Sequence, residues 1–362
     1  MTVEEADGAT SDRRRRFARR RLLALGVGIA VVVGTFAFVL PRFAAYGEVW
    51  AVLTTLSWTD SALLAAVTAL NLATFAPPLM TALPGLRYRQ AFVVTQASTA
   101  STYIAPGGAA VGAALSFAML VGWGFSAESV AVALAVTGLW NQLAMLAFPA
   151  VALGLLALGG DRDPALEAVA LVGLAVFVIL LAGFATALST PRLARGVGNL
   201  GARVASGLRR LVRREPVSWD GEAFVRFRNR TNALLRRRGH VLTLTTLAGH
   251  LSVFLVLLAS LRVLDVSGDE VTAVEAFAAW SLARLLGSIP ITPGGLGVVE
   301  LGLVAALVGF GGDRAEVVAA VLVYRFLTIV PTLVIGLVAG ATWRRHGPKD
   351  VPRERRPDAP VV

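Results

Sequence analysis

Three charged residues stand inside long apolar stretches of this chain: Arg284, Glu300 and Arg325. A charge in hydrocarbon costs at least ~2.5–3.5 kcal/mol on insertion scales, so such residues are usually paired or functional. The planar fork of arginine suits a phosphate or a carboxylate. Glutamate in such a place suits a cationic headgroup, a mobile proton or an arginine. The plainer alternative is an internal Glu–Arg pair that only fixes the fold.

Close to these charges the chain is broken twice by Pro-Gly-Gly. Residues 101–111 read STYIAPGGAAV and residues 288–298 read SIPITPGGLGV; at an offset of 187 they match at Ser, Ile, Pro, Gly, Gly and Val. Pro106 and Pro293 each remove a backbone donor and clash with the preceding turn. Gly107 and Gly108, with Gly294, Gly295 and Gly297, free the backbone and let a headgroup come close to it. A new half-helix is expected to start after each break, at Ala109 and at Leu296. Its free N–H groups and positive dipole end suit an anion such as a lipid phosphate. Tyr103 and Thr292 sit near the two breaks and can reach headgroup oxygens. Charge is confined to the second break, because Ala97 and Ala113 take the places in the first that Arg284 and Glu300 take in the second. Asn71, Gln96, Asn141, Gln142 and His250 are further polar residues in apolar segments. Such residues more often bond across helices than bind a ligand.

Other chemistries are poorly provided for. There is no cysteine, and the three histidines, His240, His250 and His346, have no ligand-like spacing, so a thiolate or metal centre is not expected. No nucleophile–base constellation and no Walker-type phosphate loop stands out. The expectation is a protein that is not an enzyme and needs no cofactor.

The elements that must position these residues are membrane helices. Of the 362 residues, 56% are apolar and 16% charged, and mean hydropathy is +0.69. Soluble chains run nearer to about 45–50% apolar and about 25% charged. Eight apolar segments emerge: 22–40, 58–80, 91–123, 130–158, 165–189, 241–263, 273–311 and 316–341. The first is longer than a secretory h-region and reads as an uncleaved span.

Net charge is +11, but its distribution argues against a nucleic-acid partner. Of the 34 basic residues, 28 fall in four polar segments: seven before residue 22, two at Arg87 and Arg89, thirteen from Arg192 to Arg238, and six from Arg344 onward. Positive-inside bias puts all four on the cytoplasmic side. That holds only if both Pro-Gly-Gly segments are re-entrant hairpins. Each half of such a hairpin has about 15 residues, roughly 22 Å, too short to cross a ~30 Å core. The loops left for the other side carry Glu48, Asp60, Asp161, Asp163, Asp265, Asp269, Glu270 and Asp313.

The resulting expectation is an all-α polytopic membrane protein with about six transmembrane helices plus two re-entrant hairpins in an inverted-topology repeat. A basic segment 1–20 precedes a single membrane domain 21–341. Within that domain, repeats 58–158 and 241–341 flank a basic segment 190–240, expected to form amphipathic helices on the inner surface. A basic tail, 342–362, follows. Both termini are expected to be cytoplasmic, and the arginine-for-lysine bias points to a bacterial plasma membrane.

The stretch RLLGSIPITPGGLGVVE from Arg284 to Glu300, followed by VLVYR ending at Arg325, resembles the flippase-like membrane region of lysylphosphatidylglycerol synthases and the multiple peptide resistance factor. The resemblance covers most of the chain, from near position 20 to position 341. It implies movement of a phosphate-bearing lipid or lipid-linked headgroup between leaflets. It does not imply lipid synthesis, because the tail 342–362 is too short to hold the soluble aminoacyl-transfer domain. Membrane lipids, anionic phospholipid or polyprenyl-phosphate lipid, are the expected partners. The alternative is a non-transporting accessory protein that holds a partner synthase or glycosyltransferase through residues 190–240.

Overall fold

The computed structural model describes residues 54, 56–104, 108–159, 164–189, 221–288 and 293–346. Every regular element among them is helical. In chain order these are α1 (Trp58–Thr74), α2 (Pro77–Ala82), α3 (Tyr88–Ile104), α4 (Gly108–Gly122), α5 (Ala127–Gly159), α6 (Pro164–Ser189), α7 (Gly221–Val263), α8 (Ala273–Gly287), a 3₁₀ turn (Pro293–Gly295), α9 (Val298–Gly309), α10 (Arg314–Thr342) and a closing 3₁₀ turn (Trp343–His346).

Four stretches are long and apolar enough to cross a membrane: Trp58–Ala82, Ala127–Leu156, Val225–Val263 and Arg314–His346. The chain is thus a multi-pass membrane protein. Of the other expected spans, 22–40 lies outside the described residues and 165–189 forms α6. The segment read as one span over 58–80 divides into α1 and α2, with Pro77 and Pro78 opening the second helix. Pro is tolerated there because first-turn N–H groups lack helical partners anyway.

The basic segment 190–240 departs from expectation in its second part. Residues 190–220 lie outside the described residues. Residues 221–240 are not separate surface helices; they open the 43-residue α7, which runs unbroken to Val263. At 1.5 Å per residue such a helix is roughly 65 Å long, far more than a ~30 Å core requires. No proline interrupts it.

Helices α3 and α4 pack antiparallel. A Cβ on Gly112 would sit 2.7 Å from the Ser98 hydroxyl, and one on Gly108 would overlap the Ser101–Thr102 backbone. Helices α8 and α9 do the same, with Gly287 against Val299 and Gly302 facing Leu286 and Ala283. Each break therefore folds its segment back on itself.

The two pairs open toward opposite ends of the bundle. At the ends of α3 and α4, Gln90 Nε2 donates to the His346 carbonyl and Trp123 Nε1 to the Trp343 carbonyl. Arg230 pairs with Glu128 at 2.7 Å near the start of α5. Arg87, Arg89, the arginines early in α7, Arg344 and Arg345 thus gather at one end. At the ends of α8 and α9, Gly312 packs on Val271 and Gly311 on the Glu270 carbonyl. Asp265, Asp269, Glu270 and Asp313 gather there. Helix α8 is capped by Thr272 and Glu275, and α10 by Asp313 accepting from Ala315 and Glu316.

One core cluster surrounds Trp280, Leu303 and Tyr324 between α7, α8, α9 and α10. A second surrounds Met119, Leu120 and Trp123 between α2, α3, α4 and α5. Helix α10 crosses α3 so closely that a Cβ at Gly336 would overlap the Gln96 carbonyl. Exposed Leu244, Leu251 and Leu255 on α7, with Val334 and Val338 on α10, form apolar stripes at helical spacing, as a lipid-facing surface requires.

Candidate functional site

The chemistry-bearing residues meet where the two helical hairpins meet. Tyr103, one residue before the end of α3, lies against the 3₁₀ turn of the second break, and a Cβ on Gly294 would overlap its ring. Leu296, Ala100, Ile329 and Leu333 close the junction with a small apolar cluster.

Glu300 and Arg325 form a buried ion pair, Arg325 Nε to Glu300 Oε1 at 2.7 Å, with side chains 11% and 8% exposed. The second carboxylate oxygen accepts from the Gly297 N–H at 2.8 Å, so Glu300 also caps α9. Arg325 further donates to the Gly294 carbonyl at 3.4 Å. Both oxygens of Glu300 are thereby occupied by the protein.

Arg284 has a different surrounding. Its guanidinium lies over the Trp280 ring at 5.3 Å, a cation–π contact, and its Nη2 meets His250 Nδ1 at 3.3 Å. Arginine can only donate, so Nδ1 accepts and the ring proton sits on Nε2. His250 is 1% exposed and stands edge-on to Phe148. Among the described residues no carboxylate pairs with Arg284, and its Nε has no hydrogen-bond partner.

Both arginines border one polar cavity of about 340 Å³, together with Tyr103, Gln96, Asn71 and Thr328. That volume is within the range of small-molecule sites. Gln96 Oε1, buried beside it, lacks a partner among the described residues. A second cavity of about 340 Å³ adjoins the first, and Phe75, Thr99, Thr102 and Asn141 border both. His250 borders the second cavity while its partner Arg284 borders the first.

The expected site residues divide accordingly. Arg284 and Arg325 come together at the polar cavity. Glu300 joins through Arg325, not Arg284. Pro106, Gly107 and Thr292 lie outside the described residues, and Pro293 is placed in the 3₁₀ turn. Gly108, Gly294 and Gly295 are each approached closely by protein atoms: the α3 backbone, the Tyr103 ring, and Gly287 with Val299 respectively. Gly297 has φ +84 and gives its N–H to Glu300. At Gly108, Gly294 and Gly295 the missing side chain makes room for a neighbouring segment of the protein. Trp280, Thr328 and Thr332 do not stand out in the sequence. The threonines share one helical face with Arg325, and that spacing is the signal that marks them.

The register between the two breaks extends further than the breaks. Helix α5 starts at Ala127 and α10 at Arg314, again offset by 187. At the same offset Arg325 corresponds to Gly138, as Glu300 does to Ala113. Ala113 and Gly138 both border the second cavity.

The lysylphosphatidylglycerol synthase TM region, as a protein family, matches this chain over residues 23–336. No curated protein matches it.

Proposed function

Since the chain belongs to the lysylphosphatidylglycerol synthase TM region family, we propose that it moves a phosphate-bearing lipid or lipid-linked headgroup between the leaflets of the bacterial plasma membrane. The observation that carries this reading is Arg284: a guanidinium bordering a polar cavity, with no carboxylate partner among the described residues. A permanent cation in such a place is retained where an anion visits it. Arg325, partly neutralised by Glu300, supplies a second donor. The chain acts as a transporter without enzymatic chemistry of its own, alternating access between halves that each contain one hairpin. Opposite hairpin openings and the register shared by the two halves support an inverted-topology repeat with two re-entrant hairpins.

Reconstituted protein is expected to exchange labelled phosphatidylglycerol or a polyprenyl-phosphate sugar between leaflets. Arg284→Gln is expected to lower that rate by about tenfold or more, as loss of one charge-assisted phosphate contact does. Wild-type exchange by a well-folded Arg284→Gln protein would remove the support for a phosphate site here.

The orientation is separately testable, and the cysteine-free sequence makes it convenient. Single cysteines at Arg89 and Arg345 are expected to resist a membrane-impermeant thiol reagent applied to intact cells. Single cysteines at Asp269 and Asp313 are expected to react. The reverse pattern would invert the topology, and labelling of both ends from one side would end the re-entrant reading.

A further inference from the structure

We infer that the headgroup carried on the phosphate is an uncharged polyol, glycerol or sugar, and that a cationic aminoacyl headgroup is refused. This deepens the reading of the polar cavity as a phosphate site and rests on it. The first argument is charge. The described side chains bordering the two joined cavities include Arg284 and Arg325, and no carboxylate is among them. Glu300, the partner of the bordering Arg325, has both oxygens committed to Arg325 and Gly297. An ammonium group entering beside two guanidiniums would meet like charge in a medium that screens it poorly.

The second argument is the chemistry of the adjoining cavity. Its wall carries Thr95, Ser98, Thr99, Thr102, Thr137 and Asn141. Thr95, Thr102 and Thr137 give their hydrogens to carbonyls of their own helices, which leaves their oxygens as acceptors. Asn141 adds an amide donor beside the one it gives to the Met145 sulfur. An alcohol, which donates and accepts at once, is matched on both counts.

The third argument is why the space exists. Where Glu300 and Arg325 fill the second half with an ion pair, the corresponding Ala113 and Gly138 present a methyl and a hydrogen. A Cβ added at Gly138 would meet nothing within 4 Å. Ala109, Ala113 and Gly138 are exposed, so this cavity reaches the outer surface of the bundle between α4 and α5. A lipid can pass its headgroup inward there while its chains stay outside.

The test uses the full chain in proteoliposomes, with phosphatidylglycerol, its lysyl ester and a polyprenyl-phosphate hexose, each labelled in its tail. Wild type is expected to move one or both polyol lipids at least about tenfold faster than the lysyl ester. Asn141→Asp, isosteric and bordering both cavities, is expected to shift that ratio toward the lysyl ester by about tenfold. Gly138→Leu fills the opening and improves helix propensity, so it is expected to fold and to stop exchange. A lysyl ester moving as fast as the polyol lipids, or a folded Gly138→Leu protein exchanging like wild type, would overturn the inference alone. Which polyol lipid moves tells glycerol from sugar. Exchange of no lipid at all would overturn both this inference and the transport reading beneath it.

Discussion

Glu300→Ala is expected to destabilise the folded protein by about 3–5 kcal/mol, the usual cost of stranding one member of a buried ion pair. The lost hydrogen bonds are the smaller part, because such bonds inside membrane proteins average only about 0.6 kcal/mol. The larger part is Arg325. Without the carboxylate at 2.7 Å it keeps, among the described residues, its 3.4 Å bond to the Gly294 carbonyl. A guanidinium left so in the interior costs at least about 2.5 kcal/mol even on insertion scales. The α9 terminus also loses its cap at Gly297, a further loss of about 1 kcal/mol. Glu300→Gln is expected to fall between, since an amide oxygen can still accept from Gly297. The double replacement Glu300→Leu with Arg325→Met removes both charges and is expected to recover most of the loss. The midpoint of SDS-induced unfolding measures all four proteins. A Glu300→Ala protein within about 0.5 kcal/mol of wild type, the range of an ordinary surface substitution, would show that the pair does not hold the fold. The double variant also separates structure from function. If it folds and still exchanges lipid, the pair is a fastening and Arg284 alone meets the phosphate.

That division of labour between the two arginines was only partly legible in the sequence. Charge inside apolar segments is visible to anyone counting residues, and so are the two breaks. Charge parity predicts an arginine-rich end and an acidic one; among the described residues, the contacts of Trp123 with Trp343 and of Gly312 with Val271 gather Arg87, Arg89, Arg344 and Arg345 at one end and Asp265, Asp269, Glu270 and Asp313 at the other. The choice of partners was not visible. Glu300 is nearer along the chain to Arg284 than to Arg325, yet it bonds the farther one, on α10, while Arg284 turns away to Trp280 and His250. His250 reaches Arg284 from a helix that no local pattern connects with it. The glycines are ambiguous for a related reason. A glycine that admits a ligand and one that admits a neighbouring helix have the same composition, and only the position of Ser98, Tyr103 or Val299 tells them apart. The start of α7 fails differently: its arginines read as a surface segment, but no helix breaker separates them from the span, so the helix simply continues.

Gly294 is expected to resist replacement, and the reason is two separable costs at one position. Its φ is +62, where an L side chain costs about 1–2 kcal/mol. A Cβ there would also overlap the Tyr103 ring, and overpacking of that kind costs about 1–3 kcal/mol. Gly294→Ala should therefore destabilise by about 2–5 kcal/mol. The two contributions can be told apart. On a Tyr103→Ala background the ring is gone and only the backbone cost remains, so the same substitution should then cost about 1–2 kcal/mol. The difference is the contact between the hairpins, read as a coupling in a double-mutant cycle by SDS-induced unfolding. Equal costs in both backgrounds would mean that the ring is free to swing aside and that the tips do not hold each other. The junction matters beyond stability, because Tyr103 borders the polar cavity and the Gly294 carbonyl accepts from Arg325. A shift of this turn moves one wall of the cavity and one partner of its arginine together, so the place where the hairpins touch is also where opening one half would be felt by the other.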